Sequence, residues 1–242
     1  MARPLARTVD GAARNWLRTG CAVVVAVMAP LATAAAQTPE DPGVYQGRKI
    51  AEVMSYRGAP WLERATRIEE EHPDELMAAL PIEAGMLVVD VGCGSGYYAR
   101  RLAAAVGPGG SVLCNDIQPE MLSIATQLAA EAGVTNMSTV LGTESDARLP
   151  VGEVDLILLV DVYHEFSEPE AMLQSMREAL APDGVIALAE FRLEGRSARH
   201  IKLEHRMSIE QVMKEWIPAG YELASRIDSL PTQHLFLFRA AP

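Results

Sequence analysis

The run Val154-Asp155-Leu156-Ile157-Leu158-Leu159-Val160 is apolar on both alternating faces, save one aspartate. A strand that shows water neither face belongs inside a sheet covered on both sides, the situation of parallel strands packed under helices. Around it, short apolar runs at 86–91, 111–116, 137–141, 185–189, 222–226 and 234–238 read as further strands. Amphipathic stretches at 97–106, 119–132, 169–180 and 209–216 read as helices; in the second, Met121, Leu122, Ala125, Leu128 and Ala129 form one stripe. Strand–helix alternation at this spacing predicts an α/β fold with a parallel sheet wrapped on both faces.

The strand at 86–91 ends in Asp90-Val91-Gly92-Cys93-Gly94-Ser95-Gly96 and passes directly into a helix. In open parallel sheets ligands bind beyond the carboxyl ends of the strands, at the point where strand order reverses. Glycines there admit positive φ and let a ligand approach the backbone. A dinucleotide fingerprint, G-x-G-x-x-G, would need its third glycine at position 97, which is Tyr97. A nicotinamide enzyme is therefore disfavoured. The pattern is instead G-x-G-x-G with an acid two residues ahead.

Residues 1–36 have the layout of a secretory signal peptide: Arg3, Arg7, Arg14 and Arg18, an apolar run from Cys21 to Ala29, and a small-residue end in which Ala34 and Ala36 flank Ala35. The apolar stretch is shorter than the ~20 residues of a spanning helix. Cleavage after Ala36 and a periplasmic or secreted protein are expected, with an uncleaved membrane anchor as the alternative. Residues 37–80 are read as a Pro/Gly-rich linker followed by two or three short helices, with Pro73 opening one and Pro81 ending the segment. Formal net charge is −11, and removing a leader with four arginines and one aspartate leaves it more negative still. Such a surface repels phosphate backbones, so no nucleic-acid partner is expected. Three cysteines exclude a disulfide framework.

The segment VVDVGCGSGYYARRL resembles the first motif of the class I S-adenosylmethionine-dependent methyltransferases, and the resemblance covers residues 81–242. It implies a Rossmann-like three-layer sandwich with a seven-stranded, mostly parallel sheet whose last strand is antiparallel; QHLFLFR suits that strand. It also implies S-adenosyl-L-methionine as cofactor. Gly92, Cys93, Gly94 and Gly96 would wrap its methionine end, Asp90 would contact its amino group, and Asp116 would bind both ribose hydroxyls. Ile117 would pack on the adenine. Asp146 matches an acid that contacts the adenine amino group, with turn duty the competing role. Asp161 would face the transferred methyl. More narrowly, NDIQPEML, LVDVYHEFSEPEAML and LPTQHLF resemble a bacterial subgroup of methyltransferase-domain proteins. That likeness implies an activity but no acceptor.

Methyl transfer from a sulfonium is an in-line displacement in which the protein aligns the reactants and removes a proton where one must leave. Neither a covalent intermediate nor a metal is required, and no metal site is expected. Asp161, Tyr163 and His164 follow the central strand and are the catalytic candidates. His164 is either the general base or part of the wall. The five-residue spacing of His200 and His205 does not place both rings on one helix face, which argues against a metal pair, while His205 could still touch substrate. The run Met54-Ser55-Tyr56 with Trp61 could close over the pocket, although packing on the sheet is the expected role of Trp61. Glu69-Glu70-Glu71 reads as a solvated face. Cys93 and Cys114 are expected to be free packed thiols, with a disulfide as the alternative if their Cα atoms lie within ~7 Å. The acceptor is expected to be a small molecule or an envelope component. A non-catalytic nucleoside-binding protein on the same fold is the competing functional reading.

Overall fold

The computed structural model describes residues 43–242; the proposed leader and its cleavage point lie outside the described residues. A small antiparallel hairpin, β1 (Val44–Tyr45) with β2 (Arg48–Lys49), comes first, where a linker was expected. Three short helices follow: α1 (Ala59–Leu62), α2 (Arg67–Glu71) and α3 (Pro73–Ala79). The alternating part comprises β3 (Leu87–Val91), α4 (Tyr97–Val106), β4 (Ser111–Asp116), α5 (Pro119–Glu131), β5 (Met137–Leu141), β6 (Val154–Val160), α6 (Pro169–Ala179), β7 (Leu180–Phe191), α7 (Ile209–Trp216), β8 (Tyr221–Ile227) and β9 (Gln233–Ala240).

The seven strands of the main sheet lie in the order β5-β4-β3-β6-β7-β9-β8, and only β9 runs against the rest. This is the Rossmann-like three-layer arrangement with its last strand antiparallel. From β3 the chain steps outward to β4 and β5, then returns to lay β6 on the other flank of β3. Strand order reverses between β3 and β6, so their carboxyl ends diverge and open a crevice.

Strand β6 shows why its sequence is apolar throughout. Leu156 and Leu158 point into the layer holding α4 and α5, while Ile157 and Leu159 point into the layer holding α6 and α7; all four are inaccessible to solvent. In the second layer Trp216 of α7 stacks on Phe238 of β9 at 4.6 Å. Strand β7 is longer than the five residues its apolar run predicts. It pairs with β6 from Leu180 onward, with a register irregularity between Val154 and Leu156 that accommodates Pro182 and Gly184. Among the described residues no helix is long and apolar enough to cross a membrane.

Candidate active site

A cavity of about 710 Å³ opens at the carboxyl ends of β3, β4 and β6. The glycine turn forms its floor. Gly92 has φ +68°, and a Cβ there would stand 2.2 Å from Cγ2 of Val162; Gly94 has φ +53°, and its Cβ would stand 2.6 Å from Cδ1 of Leu62. Both have a left-handed backbone that favours glycine, and at Gly92 the Val162 side chain also leaves no room for a Cβ. The turn is tied to the neighbouring strand through Asp116, whose Oδ2 accepts from the Gly94 amide at 3.0 Å and whose Oδ1 accepts from the Gln118 amide at 2.9 Å. Asp116 stays on the cavity wall, and burial pushes its carboxyl above the ordinary range. Ile117, beside it, presents an apolar surface that is 37% exposed.

Asp161, His164, Glu165 and His205 also line the cavity. Asp161 closes β6 with φ +51°. Its Oδ2 accepts from the Gln233 amide at 2.6 Å, and its Oδ1 is buried without a partner. Burial, and then the nearby acids Glu71 and Glu190, hold its carboxyl well above the usual range. Nδ1 of His164 lies 2.6 Å from Oε2 of Glu190, a fully buried acid on β7. That contact orients the ring, with Nδ1 toward Glu190 and Nε2 toward His205. Nε2 lies 3.0 Å from Nδ1 of His205, on the turn at Leu203–His205. Glu165 accepts from the Met54 amide at 3.3 Å, and burial pushes its carboxyl up to about 7.

The methyltransferase-domain family matches the chain over residues 82–230. The chain belongs to the class I S-adenosylmethionine-dependent methyltransferases. A solved S-adenosylmethionine-dependent methyltransferase from Aquifex aeolicus superposes with a TM-score of 0.71 at 25% identity, covering 77% of this chain and 98% of that one. An arginine N(omega)-methyltransferase from Streptomyces achromogenes subsp. streptozoticus is 30% identical over 208 residues, which is 78% of this chain and 55% of the relative. A ubiquinone biosynthesis O-methyltransferase from Cereibacter sphaeroides is 30% identical over 156 residues, 64% of this chain and 58% of the relative. The chain thus spans little more than half the length of these curated relatives.

Against the family's pattern, several residues stand elsewhere than the motif implies. Asp90 does not reach the cavity wall; it is buried behind the turn and accepts from the backbone of Ala99 in the first turn of α4. Gly96 begins that helix against Ala125, also away from the wall. Asp146 is exposed, and its Oδ1 accepts from the Arg148 amide at 2.7 Å and the Ser175 hydroxyl at 3.0 Å. It serves the turn, and Thr143 and Glu144 line the cavity instead. Tyr163 points into the core, where its hydroxyl donates to Glu215 at 2.6 Å and its ring meets Trp216. It does not line the cavity.

Cys93 and Cys114 are joined in a disulfide, not held as free thiols. Register places Cys114 opposite Asp90, and the Cys93 amide bonds to the Asn115 carbonyl, which folds the turn down onto β4. Their Cα atoms are then 5.4 Å apart, inside the range a disulfide requires.

The segment ahead of β3 supplies much of the opposite wall: Glu52, Val53, Met54, Trp61, Leu62, Arg64, Arg67 and Glu70. Trp61 does not pack on the sheet. It is 44% exposed, with the Arg64 guanidinium 3.8 Å above its ring. Nor is the acidic run wholly solvated, since Glu71 is buried and paired with Arg64 and Arg67 at 2.7 Å each. Residues 51–56 are moored over the site by the Ala51 amide on the His164 carbonyl and by the Gln118 side chain, which bridges Met54 and Tyr56. Periodicity gives no signal for this placement. The Met54-Ser55-Tyr56 motif was the only hint of it.

Proposed function

We propose that the chain transfers a methyl group from S-adenosylmethionine to a small-molecule or envelope-associated acceptor by in-line displacement. One observation carries this reading: a single cavity runs from the Asp116 carboxylate and the Gly92–Gly94 turn to the polar group at Asp161 and His164. The fit to the donor rests on shape and on chemistry. Gly92 and Gly94 line the cavity with backbone in place of side chains, and Asp116 keeps a carboxylate on the wall that can accept hydroxyl hydrogen bonds. Gly92, Gly94, Asp116 and Ile117 would hold the donor, with Arg67 and Asp161 near its reactive end. Asp90, Cys93 and Gly96 would act indirectly by fixing the turn.

When bound, the donor supplies an already activated methyl group on a sulfonium. The chain's own residues then orient the acceptor and exclude water. Asp161 and His164 border that side, and the buried Glu190 carboxylate holds the imidazole in one orientation. A volume of about 710 Å³ is in the upper part of the range for small-ligand pockets, which favours a compact acceptor over a polymer threaded through the site. The layout of residues 1–36 supports export, with a mature protein beginning at Gln37. N-terminal sequencing of the protein from its natural source checks that point.

Calorimetric titration with S-adenosylhomocysteine tests the donor site, and a donor-dependent methylation signal with envelope extract tests turnover. Folded protein that gives no heat with S-adenosylhomocysteine would overturn the reading. Binding without any methylation would favour a nucleoside-binding role instead.

A further inference from the structure

His164, Glu165 and His205 come from two separate segments, the turn after β6 and the turn before α7, yet converge on one point of the cavity. One ligand-type atom from each lies within 4.8 Å of the other two. We propose that these three side chains bind a divalent transition cation of the zinc type, at the acceptor end of the donor cavity. The role given to the cation rests on the methyl-transfer reading; the site itself does not.

Glu190 stands behind His164. Its carboxylate fixes the proton on Nδ1 of His164, so Nε2 offers a lone pair to the cavity. A carboxylate behind a histidine is the arrangement that orients metal-bound imidazoles and raises their basicity. His205 brings Nδ1 to 3.0 Å from that lone pair. Two nitrogens bound to one tetrahedral ion at 2.0–2.1 Å stand about 3.3 Å apart. Opening this nitrogen pair takes a few tenths of an ångström, and the Glu165 carboxylate, within 4.8 Å of both, must swing in to complete the set. His205 can make that shift because its turn is only partly buried, whereas His164 is 2% exposed and held from behind. Glu165 contributes the oxygen ligand, with the Met54 amide as its outer support.

Two imidazoles and one carboxylate are a donor set for zinc and its transition neighbours, and not for magnesium or calcium, which take oxygen. Three protein ligands leave a fourth position open, the pattern of catalytic zinc. That position faces the cavity shared with Asp161 and the glycine turn. An acceptor hydroxyl or thiol bound there would lose its proton to solvent. Its oxygen or sulfur would then form the bond to the methyl carbon as the carbon–sulfonium bond breaks, leaving a neutral thioether. The site thus narrows the acceptor to a molecule whose reacting atom is an ionisable oxygen or sulfur.

The test uses the untagged full-length chain, stripped with a chelator and titrated with Zn²⁺ alone against a chromogenic competitor. One equivalent of zinc should bind, and Co²⁺ should give the visible absorption of a four-coordinate site. His205→Ala and Glu165→Gln should each weaken zinc binding at least as much as loss of an outer-shell partner does, about 10–100-fold. Glu190→Gln should fall within that range. Circular dichroism and S-adenosylhomocysteine titration, run in parallel on each variant, show whether the fold and the donor site persist. Donor binding with no zinc uptake, or zinc uptake unchanged in both His205→Ala and Glu165→Gln, overturns the metal site while leaving the donor reading intact. Zinc uptake that depends on these residues, without donor binding, upholds the site and defeats the donor reading.

Discussion

Asp116 is the residue on which the donor site turns, and its replacement has a calculable consequence. Its carboxylate already accepts from two backbone amides, Gly94 at 3.0 Å and Gln118 at 2.9 Å, one on each oxygen. Hydrogen bonds from hydroxyls to a charged acceptor contribute about 1.5–3 kcal/mol each. Asp116→Ala removes one or two of these from the ribose and also frees the Gly94 amide, so the glycine turn loses one of its ties to β4. At 1.4 kcal/mol per decade, affinity for S-adenosylhomocysteine should fall at least ~10-fold and, with two bonds lost, ~100-fold or more. Asp116→Asn is the sharper probe, because it keeps volume and shape. Both oxygens face amide donors, so an Asn side chain must turn its NH₂ toward either Gly94 or Gln118, donor against donor. The loss should therefore approach that of alanine. Isothermal titration on variants with unchanged circular dichroism reads this directly. An Asn variant within threefold of wild type would refute the assignment of Asp116 as the ribose acceptor.

Other outcomes follow from the same geometry. Gly92→Ala sets a Cβ 2.2 Å from Val162 Cγ2 at φ +68°. It should cost about 2–5 kcal/mol in urea unfolding, left-handed strain and overpacking together, and Val162→Ala should recover part of that; equal losses in both backgrounds would rule out the clash. Burial pushes the Asp90 carboxyl up to about 7, against the opposing pull of Ala99 and Arg67. The folded chain then holds a proton that the unfolded chain releases near 3.8, so this group's contribution to stability declines as pH rises through that window and is level above it. Asp90→Asn lacks the slope, and its stability relative to wild type should climb from about pH 4 to about pH 7 by something on the order of 1 kcal/mol per unit; parallel curves would contradict the assignment. The disulfide closes a loop spanning 21 positions. Loop-closure entropy puts its contribution at about 3 kcal/mol, so Cys93→Ser with Cys114→Ser should lower the melting temperature of the oxidised protein by roughly 6–12 °C, and an unchanged melt would show that the pair is open in solution.

Most of the sheet was legible because its strands are buried on one or both faces, and burial writes itself into composition. The run at 154–160 and the helix at 97–106 have the same bounds in the structure as in the sequence pattern. Asp116 and the glycine turn were legible for a related reason: a strand end, a tight turn and an acid one strand over leave a local signature. What was not legible depended on pairing across the chain. Tyr163 lies two residues from Asp161, yet the 3-10 turn at Tyr163–Glu165 sends it to the core and His164 to the cavity. The meeting of His164 with His205 spans 41 positions, and no local spacing announces it. Cys93 reaches Cys114 only because the turn folds back on β4, a feature that strand adjacency permits but does not require.

The segment ahead of β3 carries a consequence for how selectivity is apportioned. The methyltransferase-domain match begins at residue 82, whereas Met54, Trp61, Leu62, Arg64 and Arg67 all belong to the stretch before it. Asp116 and the glycine turn thus come from the sheet, and much of the opposing wall from the segment ahead of it. Substitution at Met54 or Trp61 would then alter which molecule is admitted while leaving Asp116 and the glycine turn in place.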